Sequence, residues 1–161
     1  MFADVLDVHT AIREWLEAEG VPFEERAHEV VSTAAAAAAA RGTPLEIGAK
    51  TILFKVDASF ALFAFSAARA LHSLLVRRKL GVRRTRFATS EELSSLAGLE
   101  RGAVPPFGKP ILPFPLYADP SLLENRQIAF TPGCRDHSII MESAAWKALA
   151  EPTVFPFVRS C

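Results

Sequence analysis

IGAKTILFKVDASFALFAFS, Ile47 to Ser66, is the stretch whose reading decides the fold. Two runs rich in Ile, Leu, Val and Phe flank the turn residues Asp57, Ala58 and Ser59, the pattern of a β-hairpin. Residues two apart on a strand share a face. Gly48, Lys50, Ile52 and Phe54 therefore share one face, and Ala49, Thr51, Leu53 and Lys55 the other. Lys50 sits beside Ile52 and Phe54, where an ammonium must snorkel, pair with an anion or lose its proton. Two readings stay open: a strand-end lysine reaching the rim, or a cation at the mouth of a pocket for a phosphate or carboxylate. Lys55, near the turn, is expected to be solvated.

Working outward, Asp4 can cap a helix from Val5 to about Glu19, ended by Gly20. VPFEERAH reads as a short strand. Ser32 opens a helix built on the alanines Ala34 to Ala40, closed by Gly42. After the hairpin, LHSLLVRRKLG is an amphipathic helix and RRTRFA a strand. Thr89 and Glu92 make a capping box. LPFPLYADP is extended, and Pro120 suits a first helical position. RQIAFTPG and HSIIMES form a second hairpin-like pair, AAWKALA a closing helix, and TVFPFV an edge strand that tolerates its proline. The alternation predicts one α+β domain over residues 1–161, with a mixed sheet or a partly closed barrel flanked by helices.

Composition bounds the function. The chain has 161 residues, half of them hydrophobic, and its longest apolar run is far short of the ~20 residues of a membrane span. MFADVLDVHT lacks the basic flank of a signal peptide. Cys134 and Cys161 make no disulfide framework, so a reducing cytoplasm is the expected location. Eighteen basic residues balance eighteen acidic ones, but Arg77, Arg78, Lys79, Arg83, Arg84 and Arg86 crowd into RRKLGVRRTR. A helix C-terminus favours the first three cations. The second group is read either as solvated charge or as a phosphate-facing patch.

LERGAVPPFGKPI, Leu99 to Ile111, places Pro105 and Pro106 between Gly102 and Gly108. Proline fixes φ and cannot donate, which leaves Gly102, Ala103 and Val104 as N–H donors on that side. On spacing alone the loop is a stiff turn. Cys134 and His137 have i, i+3 spacing but no second ligand pair, so no metal is expected. His9 and His72 fall on predicted helices and need no special role. No cofactor motif of the P-loop or G-x-G-x-x-G type occurs.

GAKTILFK, LLVRRKLG, RFATSEEL, GLERGAVPPFG and IAFTPGCRDHSIIM, in this order, resemble the YbaK/ProX-type aminoacyl-tRNA deacylases, also called prolyl-tRNA synthetase-associated editing domains. The resemblance spans about Val21 to Leu149. It implies a metal-free mixed α/β domain, without cofactor or protein nucleophile, that hydrolyses misacylated tRNA. Lys50 matches the family's pocket lysine, and Gly102 to Pro106 match its G-x-x-x-P loop at the scissile ester. Gly133 matches the glycine of a late strand-loop.

Hydrolysis of an aminoacyl ester needs a positioned water or hydroxyl, donors for the oxyanion and a site for the amino acid. The resemblance thus assigns the reacting region to Lys50, Gly102, Ala103, Val104 and Pro106. His28, Gly133, Asp136 and His137 are candidates for substrate binding; Asp136 is read either as accepting the ammonium or as a turn-forming aspartate, and His28 either as lining the pocket entrance or as a capping or surface residue. Arg77 to Arg86 are candidates for the tRNA acceptor stem. The expected function is a free-standing trans-editing deacylase acting on misacylated tRNA, with no DNA or membrane partner. The alternatives are a non-hydrolytic tRNA-end or nucleotide-binding module, or an editing partner docked on an aminoacyl-tRNA synthetase. Thr51 follows Lys50 as in the YbaK-like branch, whereas the alanine-removing branch typically carries asparagine there.

Overall fold

Ala49–Val56 and Ser59–Ser66 pair antiparallel over eight residues, from Ala49 opposite Ser66 to Val56 opposite Ser59. Asp57 takes the positive φ (+54°) that so short a connection demands. Its carboxylate also accepts the N–H groups of Arg83 and Arg84 at 3.0 and 2.9 Å. The structure, a computed structural model, describes residues 7–160. In chain order the elements are α1 (Val8–Ala18), β1 (Phe23–Ala27), α2 (Ala34–Arg41), β2 (Ala49–Val56), β3 (Ser59–Ser66), β4 (Arg69–Leu71), α3 (Ser73–Leu80) and β5 (Thr85–Phe87). There follow α4 (Ser90–Ala97), β6 (Leu116–Ala118), β7 (Gln127–Phe130), β8 (His137–Glu142), α5 (Ser143–Ala150), β9 (Thr153–Val154) and β10 (Val158–Ser160).

The mixed sheet is the arrangement present. Its order is β5-β2-β3-β6-β9, open at both edges, with β2 antiparallel to both β5 and β3, and β6 and β9 running parallel to β3. β1-β8-β7 form a second, antiparallel sheet, joined to the first through one bridge between Gly48 and Ala129. β3 is central, and Ala61 to Ser66 are buried without a break. Such a continuous apolar run is what a strand covered on both faces requires. One face packs Leu53, Leu62 and Ala64 against α1, β7, β8 and Trp146. The other packs Phe54, Phe63 and Phe65 against Val76 of α3 and the tail residues Phe155 and Phe157.

Local capping explains most boundaries, with three shifts from expectation. Asp7 caps α1 by accepting the Thr10 N–H at 2.8 Å; the expected cap, Asp4, lies outside the described residues. Thr33 rather than Ser32 caps α2, because its hydroxyl reaches the Ala36 N–H at 3.0 Å. TVFPFV does not run as one strand: Phe155 to Phe157 turn into the second core, splitting it into β9 and β10. The Thr89–Glu92 capping box forms as read. No helix among the described residues is long and apolar enough to cross a membrane.

The tail turns inward because Asp119 holds it. This buried carboxylate accepts the Phe157 N–H at 2.7 Å and the Ser121 N–H at 2.8 Å. Asp119→Ala leaves both donors buried without a partner and is expected to destabilise the fold by about 2–3 kcal/mol in urea unfolding. An unchanged midpoint would remove Asp119 from this role.

Candidate active site

The outer edge of β2 is shared. Its C-terminal half pairs with β5, Phe54 opposite Phe87, whereas its N-terminal end bridges to β7 at Gly48. Between these partners the strand edge is open, and a cavity of about 440 Å³ occupies the gap. α2 supplies one wall with Ala34, Ala37 and Arg41, and the β2 residues Lys50 and Thr51 line the floor and rim. Arg101, Gly102 and Val104 close the opposite side, and the exposed ring of Phe87 stands at the margin (58% accessible).

Lys50 and the Gly102–Val104 segment therefore share one cavity. Gly102 adopts φ +83°, a conformation glycine enters without the clash a side chain would meet. The Gly102 carbonyl accepts the Thr131 hydroxyl at 2.6 Å. Ala103 and Pro106 do not line the cavity but brace the segment from behind. The Ala103 N–H donates to the Glu100 carbonyl at 3.1 Å, and its carbonyl accepts the Gly133 N–H at 2.9 Å. The Pro106 carbonyl accepts the indole N–H of the fully buried Trp146 at 2.8 Å. Of the three expected donors, Ala103 is committed to Glu100, and Gly102 and Val104 are among the residues lining the cavity.

The charge of the lining is one-sided: Arg41, Lys50 and Arg101 with no Asp or Glu. Lys50 is exposed, in keeping with a strand-end residue whose head group reaches solvent. Arg41, given no role by the sequence, is only 5% accessible. Its guanidinium meets the Thr43 hydroxyl at 2.8 Å and the Ser138 hydroxyl at 3.4 Å, and forms no salt bridge among the described residues. Burial lowers its affinity for the proton. Thr51 carries a second unmet need: its buried Oγ1 is without a hydrogen-bond partner among the described residues.

The remaining candidates lie elsewhere. None of His28, Gly133, Asp136 and His137 lines the cavity. His28 is turned between the Glu29 carbonyl and the Ser138 hydroxyl, both at 2.8 Å. Gly133, at φ +93°, packs so tightly on α1 that an added Cβ would fall 2.9 Å from Val8. Asp136 pairs with His137 at 2.9 Å, which holds its carboxyl below the usual range. His9 joins this group, 3.7 Å from Cys134 Sγ. Burial and the nearby Asp136 carboxylate push the Cys134 thiol up to about 11, so it is no thiolate nucleophile at neutral pH.

Of the basic cluster, Arg77, Arg83, Arg84 and Arg86 line a shallow cleft with Lys55, Asp57 and Thr85 on the strand leading to Phe87. Lys55 is therefore half-buried beside this cleft rather than freely solvated. Arg86 is engaged in a two-pronged pair with Glu92 at 2.7 and 2.9 Å, which holds the Glu92 carboxyl at about 2. Arg77 is tied to the Ser73 and Thr85 hydroxyls. Arg78 and Lys79 are exposed on α3, where Lys79 lies 6.0 Å from the Phe155 ring centre.

The chain is similar to known proteins in both sequence and fold. The sequence is 32% identical over 158 residues to the multifunctional Ser/Thr-tRNA deacylase ProXp-y of Escherichia coli K12, covering 94% of this chain and 93% of that protein. A solved structure described as "a putative trans-editing enzyme for prolyl tRNA synthetase" superposes with a TM-score of 0.82 at 25% identity, over 97% of this chain and 99% of that one. Residues 28–149 match the aminoacyl-tRNA editing domain, and it is to that family that the chain belongs.

Proposed function

We propose that the chain is a trans-acting deacylase that hydrolyses the ester of misacylated tRNA, and that the cavity on the open edge of β2 receives the aminoacylated 3′ end. The observation that carries this reading is the convergence of Lys50, Arg41 and the Gly102–Val104 backbone on one cavity without a carboxylate. A positive, carboxylate-free lining suits a phosphodiester and a developing oxyanion. It also leaves the general-base work to water or to the substrate's own ribose hydroxyl. Water adds to the ester carbonyl, the ribose oxygen leaves with a proton, and the amino acid departs as its acid. Lys50 and the N–H groups of Gly102 and Val104 face the charge that develops. Phe87 offers its exposed face to the terminal base.

The same reading assigns the substrate class. Thr51 Oγ1 is a buried hydrogen-bonding group awaiting a partner, which a serine or threonine side chain supplies and an alanine does not. The relative's activity on Ser- and Thr-tRNA supports this choice. A dependence on a synthetase is the second reading, raised by the description of the structural neighbour. Deacylation by the isolated chain, unchanged on adding prolyl-tRNA synthetase, would exclude it.

Three outcomes test the proposal. Lys50→Ala should lower single-turnover deacylation at least about 100-fold, with Lys147→Ala as an exposed control on α5. Equal rates for the two variants would sink the assignment. Thr51→Val keeps the volume but not the hydroxyl. It should reduce kcat/KM on Ser-tRNA roughly tenfold while leaving Ala-tRNA nearly unaffected. A uniform loss on both substrates would deny Thr51 its part in selection. Finally, Arg83→Ala combined with Arg84→Ala should flatten the slope of log kcat/KM against log salt by about 1.5. A slope indistinguishable from that of the parent would detach the basic cleft from tRNA.

A further inference from the structure

Away from the cavity, three nitrogen and sulfur donors from distant parts of the chain meet. His9 projects from α1, and Cys134 and His137 flank the turn leading into β8. Cys134 Sγ lies 3.7 Å from Nδ1 of His9 and 3.7 Å from Nδ1 of His137. One donor atom from each residue falls within 4.8 Å of the other two, and all three side chains are half-buried. A thiol has one proton and can donate to only one of these nitrogens. The sulfur also accepts, so the thiol faces Nδ1 of His9 while Nδ1–H of His137 approaches the same sulfur.

The surroundings orient the donors. Glu25 on β1 accepts from Nε2 of His9 at 2.5 Å and is held in turn by Arg13 at 3.2 Å. A carboxylate on one imidazole nitrogen fixes the proton there and turns the other lone pair toward a ligand. Here that other atom is Nδ1, which faces the sulfur. Asp136 Oδ1 lies 2.9 Å from Nδ1 of His137 and brings a carboxylate oxygen beside that donor.

We propose that His9, Cys134 and His137, completed by the Asp136 carboxylate, bind a borderline-soft divalent cation of the zinc class. In a tetrahedral zinc site, a metal–sulfur bond of about 2.3 Å and a metal–nitrogen bond of about 2.05 Å set sulfur and nitrogen about 3.6 Å apart. The two observed separations, each 3.7 Å, already match. A mixed thiolate and imidazole set selects zinc over magnesium or calcium. On binding, the Cys134 proton passes to solvent. His137 moves its proton from Nδ1 to Nε2, freeing Asp136 to turn to the metal.

The loop so held also braces the cavity. The Gly133 N–H reaches the Ala103 carbonyl, the Arg135 carbonyl accepts the Val31 N–H, and the Asp136 carbonyl accepts the His28 N–H. Val31 lines the cavity, and Ala103 lies between the lining residues Gly102 and Val104. The ion would thus tie α1 to two walls of the cavity without entering the hydrolysis.

Cobalt(II), added to the full chain after reduction with a phosphine, is the probe. A Cys161→Ser background removes the second thiol. One equivalent should give a thiolate-to-cobalt charge-transfer band in the near ultraviolet and the strong visible bands of a tetrahedral centre, both abolished by zinc. Cys134→Ser should lose the charge-transfer band, Glu25→Gln should weaken binding about tenfold, and His72→Ala should change nothing. Zinc should raise the melting temperature of the parent but not of Cys134→Ser, and matching metal-free melting temperatures show that the variant folds. A pale octahedral spectrum, or the same charge-transfer band in Cys134→Ser, would overturn the proposal. None of these readouts depends on deacylation.

Discussion

The divided edge of β2 is the constraint on which the site depends. A strand paired on both sides along its length has no backbone left for a ligand. A strand with one bare edge invites pairing with another chain. Here β3 takes one side completely, while β5 and β7 take opposite ends of the other and diverge. The Ala88 N–H donates to the Leu53 carbonyl at 2.9 Å, marking where the β5 side ends. Alternation turns the backbone groups of Thr51, two residues earlier, to the same edge. The opening is thus a few residues long, wide enough for a ligand and too short for another strand.

What surrounds that opening follows from charge. Burying a guanidinium is costly unless something repays the lost hydration. Two hydroxyls and no carboxylate meet Arg41 among the described residues, so it keeps unspent attraction for an anion. Lys50 and Arg101 add to the same field. Three acids near these walls are already engaged. Asp136 is bonded to His137, Glu25 to His9 and Arg13, and Glu100 to Arg135. Positive groups line the cavity, and these three carboxylates are occupied outside it.

Sequence carried the parts of this arrangement that rest on neighbouring residues. The hairpin, the Thr89–Glu92 box and the glycine closing α2 are short-range devices, and each forms where the residues indicate. The sharing of one cavity by Lys50 and the Gly102 loop was legible only through resemblance to a family, since no local rule joins positions so far apart. Arg41 was invisible because an arginine ending an alanine helix looks like a solvated cap until the fold buries it. Thr51 looked like an ordinary strand residue, and only burial exposes its missing partner. His9 was set aside as a helix residue, because its approach to Cys134 is created by α1 crossing the loop before β8. β4, three residues long, lacked a pattern and exists through its pairing with β10.

The alanine helix has a consequence for how this cavity can change over generations. Ala34 and Ala37 present methyl groups to the cavity, the smallest side chains that still favour a helix. Glycine, the only smaller choice, costs about 1 kcal/mol of helix stability. Mutation at either position therefore has a preferred direction, since nearly every accessible codon makes the chamber narrower. A lineage starting from this wall can exclude substrates one methyl group at a time. To admit larger ones it must borrow space from another side. Selectivity on this flank drifts toward the small, and the alanines mark the roomy end of that path.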